Sequence, residues 1–80
     1  MMTATELFQD IEPIVKAHTG DIPNLVAVIR PNSERVIISA GSYSLPGYFI
    51  EAISSYCHAN FIPWIMAYDV KKKEIYLDLN

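Results

Sequence analysis

The sequence predicts an α+β fold in the element order α-β-β-α-β-β, with a four-stranded antiparallel sheet and two helices on one of its faces. Three observations carry this prediction. Two segments have helical apolar spacing, two pairs of short apolar runs flank turn-forming residues, and the two halves of the chain resemble each other. The 80 residues suffice for a single domain, residues 1–80, and exclude a second one.

The first helix is predicted over residues 3–20. Thr3 and Glu6 have the spacing of a capping box, and apolar residues recur at helical spacing over positions 7–15. Gly20 is expected in the left-handed conformation that follows many helices. Because Pro13 lacks a backbone donor, we expect the helix to kink or to restart there.

Two β-hairpins and a second helix follow along the chain. Residues 24–29 and 35–40 flank a segment rich in turn-forming residues and are predicted to form the first hairpin. Residues 61–68 and 74–79 flank a lysine-rich turn and are predicted to form the second hairpin. The second helix is predicted between the hairpins, over residues 46–58.

A shift of 40 residues, half the chain, aligns His18 with His58 and produces several further identities. This match predicts two αββ half-repeats, residues 1–40 and 41–80. The alternative is that two copies of one common unit share a helix stop, a strand-opening Ile-Pro and a hairpin turn. Both interpretations give the same architecture.

The charge balance and the single cysteine argue against several classes of protein. Nine acidic and six basic residues give a formal net charge of −3, which disfavours a dedicated nucleic-acid binder. Cys57 cannot form an intrachain disulfide, and residues 1–12 lack the pattern of a secretory signal. Glycine, proline and serine interrupt every apolar run before it reaches a membrane-spanning length. We therefore expect a cytoplasmic protein without a membrane segment.

The apolar content is high for a chain of this size. Hydrophobic residues make up 51% of the sequence, whereas folding at this mass buries only about 63% of the extended surface. If the half-repeats keep their faces, the helix-free side of the sheet is apolar, which predicts an interface with a second copy of the chain. One alternative is a small core that leaves some apolar atoms exposed, and another is that this face binds a different partner or a ligand. The predicted interface residues are Val26, Val28, Val36, Ile38, Trp64, Met66 and Tyr68 on the sheet, with Tyr48 and Tyr56 on the flank of the second helix.

No residue pattern predicts catalysis, a metal site or a cofactor. Cys57 and His58 are adjacent, but neighbours on a helix diverge by about 100° and cannot face each other. His18 and His58 each end a predicted helix, where an imidazolium interacts favourably with the helix dipole. The sequence contains no third candidate metal ligand at a diagnostic spacing from His18 and His58.

The function that these features predict is a small protein–protein interaction module without enzymatic activity. It would form a homodimer and serve as an adaptor or inhibitor of a larger protein machine. One alternative is a nucleic-acid-binding module that uses Lys71, Lys72 and Lys73 at the tip of the second hairpin. Another is a small enzyme or ligand-binding protein whose pocket forms at an oligomer interface.

Overall fold

The computed structural model describes residues 2–30, 32–41 and 44–80. Two helices and four strands occur in the predicted order α-β-β-α-β-β, and the strands form one antiparallel sheet. The α+β fold is therefore confirmed. The elements are α1 (Ala4–His18), β1 (Val26–Ile29), β2 (Val36–Ser39), α2 (Gly47–Ala59), β3 (Trp64–Asp69) and β4 (Glu74–Leu79).

Helix α1 begins with the predicted capping box. The Thr3 hydroxyl accepts the N–H of Glu6 at 3.2 Å, and the Glu6 carboxylate accepts the N–H of Thr3 at 3.0 Å. The helix continues through Pro13 as one element. The prediction for Gly20 is wrong, because the helix ends at His18 with a right-handed C-cap and the glycine with a positive φ is Gly41.

The sheet has the strand order β1-β2-β4-β3, with β2 and β4 in the centre. Val36 lies opposite Leu79, and Ile38 lies opposite Leu77, in the antiparallel pairing of these two strands. Residues directly opposite each other point to the same side of a sheet. All four side chains are fully buried, so this side faces the core.

Both helices pack on that side. Leu7, Ile11 and Val15 of α1 form one cluster of buried residues with Phe49 and Ile53 of α2 and with the core-facing residues of β2 and β4. The molecule therefore has two layers, with the helices on one face of the sheet and no helix on the other face within the described residues. We call the uncovered side the open face.

The predicted placement of Val36 and Ile38 on the open face is wrong. Both are fully buried beneath the helices, opposite Leu79 and Leu77. The error comes from the shift of 40 residues, which aligns Val36 with Tyr76. A shift of 39 would keep the faces, because it aligns Val36 with Ile75, on the core side. The half-repeat itself stays a prediction.

Candidate interaction surfaces

The open face of the sheet is mainly apolar. Cross-strand pairing assigns every strand residue to a side, and Val26 and Val28, both predicted interface residues, lie on the open face. In a sheet with one solvated face, polar residues on that face alternate along each strand with apolar residues on the core side, and few polar residues occur on the open face. The strand residues in the central part of this face are Val26, Val28, Ile37, Ser39, Ile65, Ala67, Tyr76 and Asp78.

One ion pair interrupts this apolar face. Asp78 lies between Ile37 and Ile65 on the neighbouring strands and is only 5% exposed. Its carboxylate accepts a hydrogen bond from Arg35 Nε at 3.0 Å. The pair satisfies a carboxylate that burial would otherwise destabilise. The ion pair was not predicted from the sequence, although Asp78 stands out as a charged residue between Leu77 and Leu79 in the last strand.

The side chains of Trp64, Met66 and Tyr68 on β3 point to the helix side of the sheet. They lie opposite Leu79, Leu77 and Ile75, so the prediction that they line the helix-free side is wrong. Met66 and Tyr68 are nevertheless 55% and 57% exposed, and Ile65 on the other side of the same strand is 55% exposed. Strand β3 thus exposes apolar side chains on both sides, because the helices do not extend over it.

β3 is also an edge strand, and its backbone groups alternate between β4 and the free edge. Asn80 N–H donates to Pro63 C=O at 3.0 Å, which fixes the phase of the ladder. Ile65 and Ala67 therefore direct their N–H and C=O groups to β4, whereas Trp64, Met66 and Tyr68 direct theirs to the edge. No strand in the described part of the chain pairs with this edge.

The two tyrosines predicted on the flank of α2 connect this helix to other segments of the chain. The Tyr56 hydroxyl donates to Asp10 of α1 at 2.8 Å, and the Tyr48 hydroxyl donates to Asp21 in the loop after α1. Burial and the Asp10 carboxylate raise the pKa of Tyr56 well above its usual value. The hydrogen bond with Asp21 raises the pKa of Tyr48. Both phenols therefore stay protonated near neutral pH. Tyr56 joins α2 to α1, and Tyr48 joins α2 to the loop after α1.

The histidines are far apart. His18 lies near the start of α2, where its ring packs edge-on against Phe49 with the ring centroids 5.5 Å apart. Its Nδ1 lies 3.7 Å from the Asp21 carboxylate. His58 lies at the other end of α2, ten residues beyond Tyr48 or about 15 Å along the helix. Within the described ranges no group of three or more His, Cys, Asp or Glu side chains is placed to hold a metal ion.

Cys57 is a buried free thiol within the core. Burial raises its pKa to about 11 because the apolar surroundings disfavour the thiolate. A nucleophilic cysteine requires the opposite environment, with a nearby cation or a helix N-terminus. Cys57 is therefore a packing residue.

Lys71, Lys72 and Lys73 form the exposed turn between β3 and β4. The Asp69 carboxylate accepts the N–H groups of Lys71 and Lys72 at 2.9 and 3.1 Å and holds the turn. This arrangement accounts for the tight hairpin. Nucleic-acid contact through the three lysines stays a prediction.

A cleft of about 540 Å³ lies between the start of α1 and the loop before β3. Its ionisable side chain is Glu6, whose pKa is lowered by the backbone and hydroxyl hydrogen bonds from Thr3. This carboxylate is already engaged in the helix cap, so it is a poor general acid or base at neutral pH. Phe61, 93% exposed and in the left-handed region at φ 56°, borders the cleft.

No protein-family model, curated protein or solved structure matches this chain. Among the residues that the structure describes, no helix is both long and apolar enough to cross a membrane. The chemistry of the surfaces is therefore the basis for assigning a function.

Proposed function

We propose that this chain is a protein–protein interaction module without enzymatic activity, which works as a homodimer and serves as an adaptor or inhibitor in a larger assembly. The observation that carries the proposal is the apolar surface that the sheet leaves uncovered. Val26, Val28 and Ile65 are about half exposed on the open face, and Met66 is about half exposed on the other side of β3.

The exposure of these apolar residues supports the proposal. Isolated exposed apolar residues are normal on any protein, but contiguous apolar patches on small monomers mark interaction sites. On the open face Val26 and Val28 lie on one side of β1, and Ile37 of β2 and Asp78 of β4 lie between Val28 and Ile65 of β3 at the opposite edge. Met66 lies on the other side of β3. The open face also carries aromatic and branched residues where a solvated sheet carries polar ones.

A second copy of the chain suits this surface. The net charge of −3 is too small to oppose association strongly. Asp78, the one strongly buried charge on the open face among the described residues, is already neutralised by Arg35, so a partner does not need to supply a cation. An apolar partner surface without compensating charges is what another copy of the same sheet provides.

The ionisable side chains support a role without catalysis. The pKa of the Cys57 thiol is raised by burial, and the phenols of Tyr48 and Tyr56 are bonded to carboxylates. None of these three groups is prepared for nucleophilic or acid–base chemistry at neutral pH. A cytoplasmic location is part of the proposal, because the fold uses its cysteine as a free thiol.

Native mass spectrometry and sedimentation equilibrium at micromolar concentration test the homodimer. We expect the wild type to be a dimer and the variant Ile65→Lys to be a folded monomer, because residue 65 belongs to both the open face and β3. Val70→Lys is the matched control: Val70 is 76% exposed in the turn beyond β3, so this variant should stay dimeric.

A wild type that is monomeric throughout this concentration range would contradict the proposal. Circular dichroism of Ile65→Lys is needed alongside, because only a folded monomer supports the interpretation. The nucleic-acid alternative would instead be favoured if the protein bound a single-stranded oligonucleotide in low salt. This binding should then be lost in the triple variant Lys71→Ala, Lys72→Ala, Lys73→Ala.

A further inference from the structure

We infer that the homodimer forms by antiparallel pairing of β3 with β3 of a second copy, with the two-fold axis at Met66, so that two four-stranded sheets join into one. This inference rests on the proposed function and names the surface through which the two copies associate. Its starting point is an edge strand with exposed apolar residues and outward-directed backbone groups.

The backbone geometry selects the register. Trp64, Met66 and Tyr68 direct N–H and C=O groups to the free edge, so these residues must face one another across the new strand pair. With the axis at Met66, Trp64 of each copy lies opposite Tyr68 of the other and Met66 lies opposite its equivalent. All three outward residues then take part in hydrogen-bonded pairs.

Two neighbouring registers, in which the partner strand is shifted by two residues in either direction, form fewer hydrogen bonds. One of them would place Ile62 opposite Tyr68, but the Ile62 N–H already donates to Cys57 C=O at 2.8 Å. The other would pair Trp64 with Val70, which lies in the hairpin turn rather than in a strand. The register centred on Met66 is therefore the one in which each outward residue finds a free counterpart.

The side chains agree with this register. On the helix side it brings Trp64 against Tyr68 twice and Met66 against Met66, and on the open face it brings Ile65 against Ala67 twice. Aromatic and branched cross-strand pairs stabilise a sheet, and no charged residue occurs between positions 64 and 68. Two identical strands therefore meet without like charges facing each other.

The edge also lacks the devices that usually prevent strand pairing. Residues 64–68 contain no lysine and no proline. The exposure of Met66 and Tyr68 shows that no described helix stands above the strand to block a neighbour. The opposite edge differs, because β1 has only four residues and α1 packs against it.

Cysteine cross-linking of the full-length protein tests the register. In the variant Met66→Cys the two thiols face each other across the axis, with Cα atoms about 5.5 Å apart, which suits a disulfide. Tyr68→Cys is the matched control, since Tyr68 is equally exposed but its equivalent lies four residues away along the partner strand, or about 13 Å. With oxidised glutathione as electron acceptor, we expect roughly tenfold more covalent dimer from Met66→Cys than from Tyr68→Cys.

A third variant, Val28→Cys, reports on contact through the open face instead. A wild-type dimer in which Val28→Cys cross-links and Met66→Cys does not would overturn the β3 pairing and leave the homodimer intact. A dimer in which neither variant cross-links would also overturn it. A monomeric wild type would contradict the proposed function itself, so the two failures are distinguishable.

Two proline variants supply a second measurement that does not depend on thiol chemistry. The Met66 N–H faces the free edge, so Met66→Pro removes no hydrogen bond within the chain. It removes the two hydrogen bonds between the copies in which the Met66 N–H of each copy is the donor. We expect a folded monomer. Ala67→Pro is the control, because its N–H faces β4 and its loss should disrupt the sheet. A Met66→Pro variant that remains dimeric would overturn the inference.

Discussion

At the scale of single residues, the ion pair between Arg35 and Asp78 links the two hairpins. Asp78 is nearly fully buried between Ile37 and Ile65, and Arg35, the residue before β2, supplies its counter-ion. A slip of the β2–β4 pairing by one residue would turn the carboxylate into the core and separate it from the guanidinium. The pair thus favours one register at the centre of the sheet.

Cys57 provides a prediction at the same scale. Burial raises its pKa from 9.0 to about 11, so at pH 8 the native thiolate is about 100-fold scarcer than in the unfolded chain. We expect labelling by a thiol-reactive dye at pH 8 to be slower by at least that factor in the native protein than in denaturant. Rapid stoichiometric labelling of the native protein would contradict this.

The raised pKa of Cys57 also predicts how the stability of the protein changes with pH. The folded pKa is raised above the unfolded value, so the thiol's contribution to stability is complete below about pH 9 and declines as the pH rises towards 11. Labelling and unfolding should therefore both become easier above pH 9.

At the scale of the elements, the N-terminus of α1 offers a test with an internal control. Thr3→Ala removes the hydroxyl that accepts the Glu6 N–H, and loss of such a cap lowers the free energy of unfolding by about 1 kcal/mol. Thr5→Ala, two residues further on inside the helix, replaces a weak helix former by a strong one and should leave stability unchanged or slightly raised. Urea unfolding measures both, and equal effects of the two substitutions would contradict the role of the cap.

The order of the elements could be predicted from the sequence because its signals are local. The capping box at Thr3, the Ile-Pro before each hairpin and the alternation of β4 each act within a few residues. The faces of β2 could not be predicted in the same way, because Val36, Ile37 and Ile38 are all apolar and give no alternation. Only the pairing with β4, about 40 residues away, assigns Val36 to the core.

The candidate surface was partly predictable for a related reason. Excess apolar composition indicated an uncovered surface, and Met66 and Tyr68 of the predicted set are indeed exposed. Their side of the sheet was wrong because it depends on register rather than on residue type. That β3 is an edge strand follows from the strand order β1-β2-β4-β3, which no local pattern encodes.

At the scale of the whole molecule, a thin two-layer fold leaves one side of its sheet uncovered, and the described residues place no further strand beside either edge strand, β1 or β3. A chain of 80 residues buries too little surface to be very stable by itself, so association can contribute a substantial part of its stability. Joining two sheets through β3 would satisfy edge backbone groups and cover apolar side chains in one step, without any change in the fold of either chain.

This coupling predicts a melting temperature that depends on protein concentration. If the native state is a dimer, a tenfold rise in concentration stabilises it by about 1.4 kcal/mol per dimer, which for chains of this size corresponds to about 3–6 °C. We expect this shift for the wild type in calorimetric or circular-dichroism melts, and we expect Ile65→Lys to melt at one temperature throughout the same range. A wild-type melting temperature that does not change with concentration would show that the dimer contributes nothing to stability, and a parallel shift in Ile65→Lys would show that the association uses a surface without residue 65.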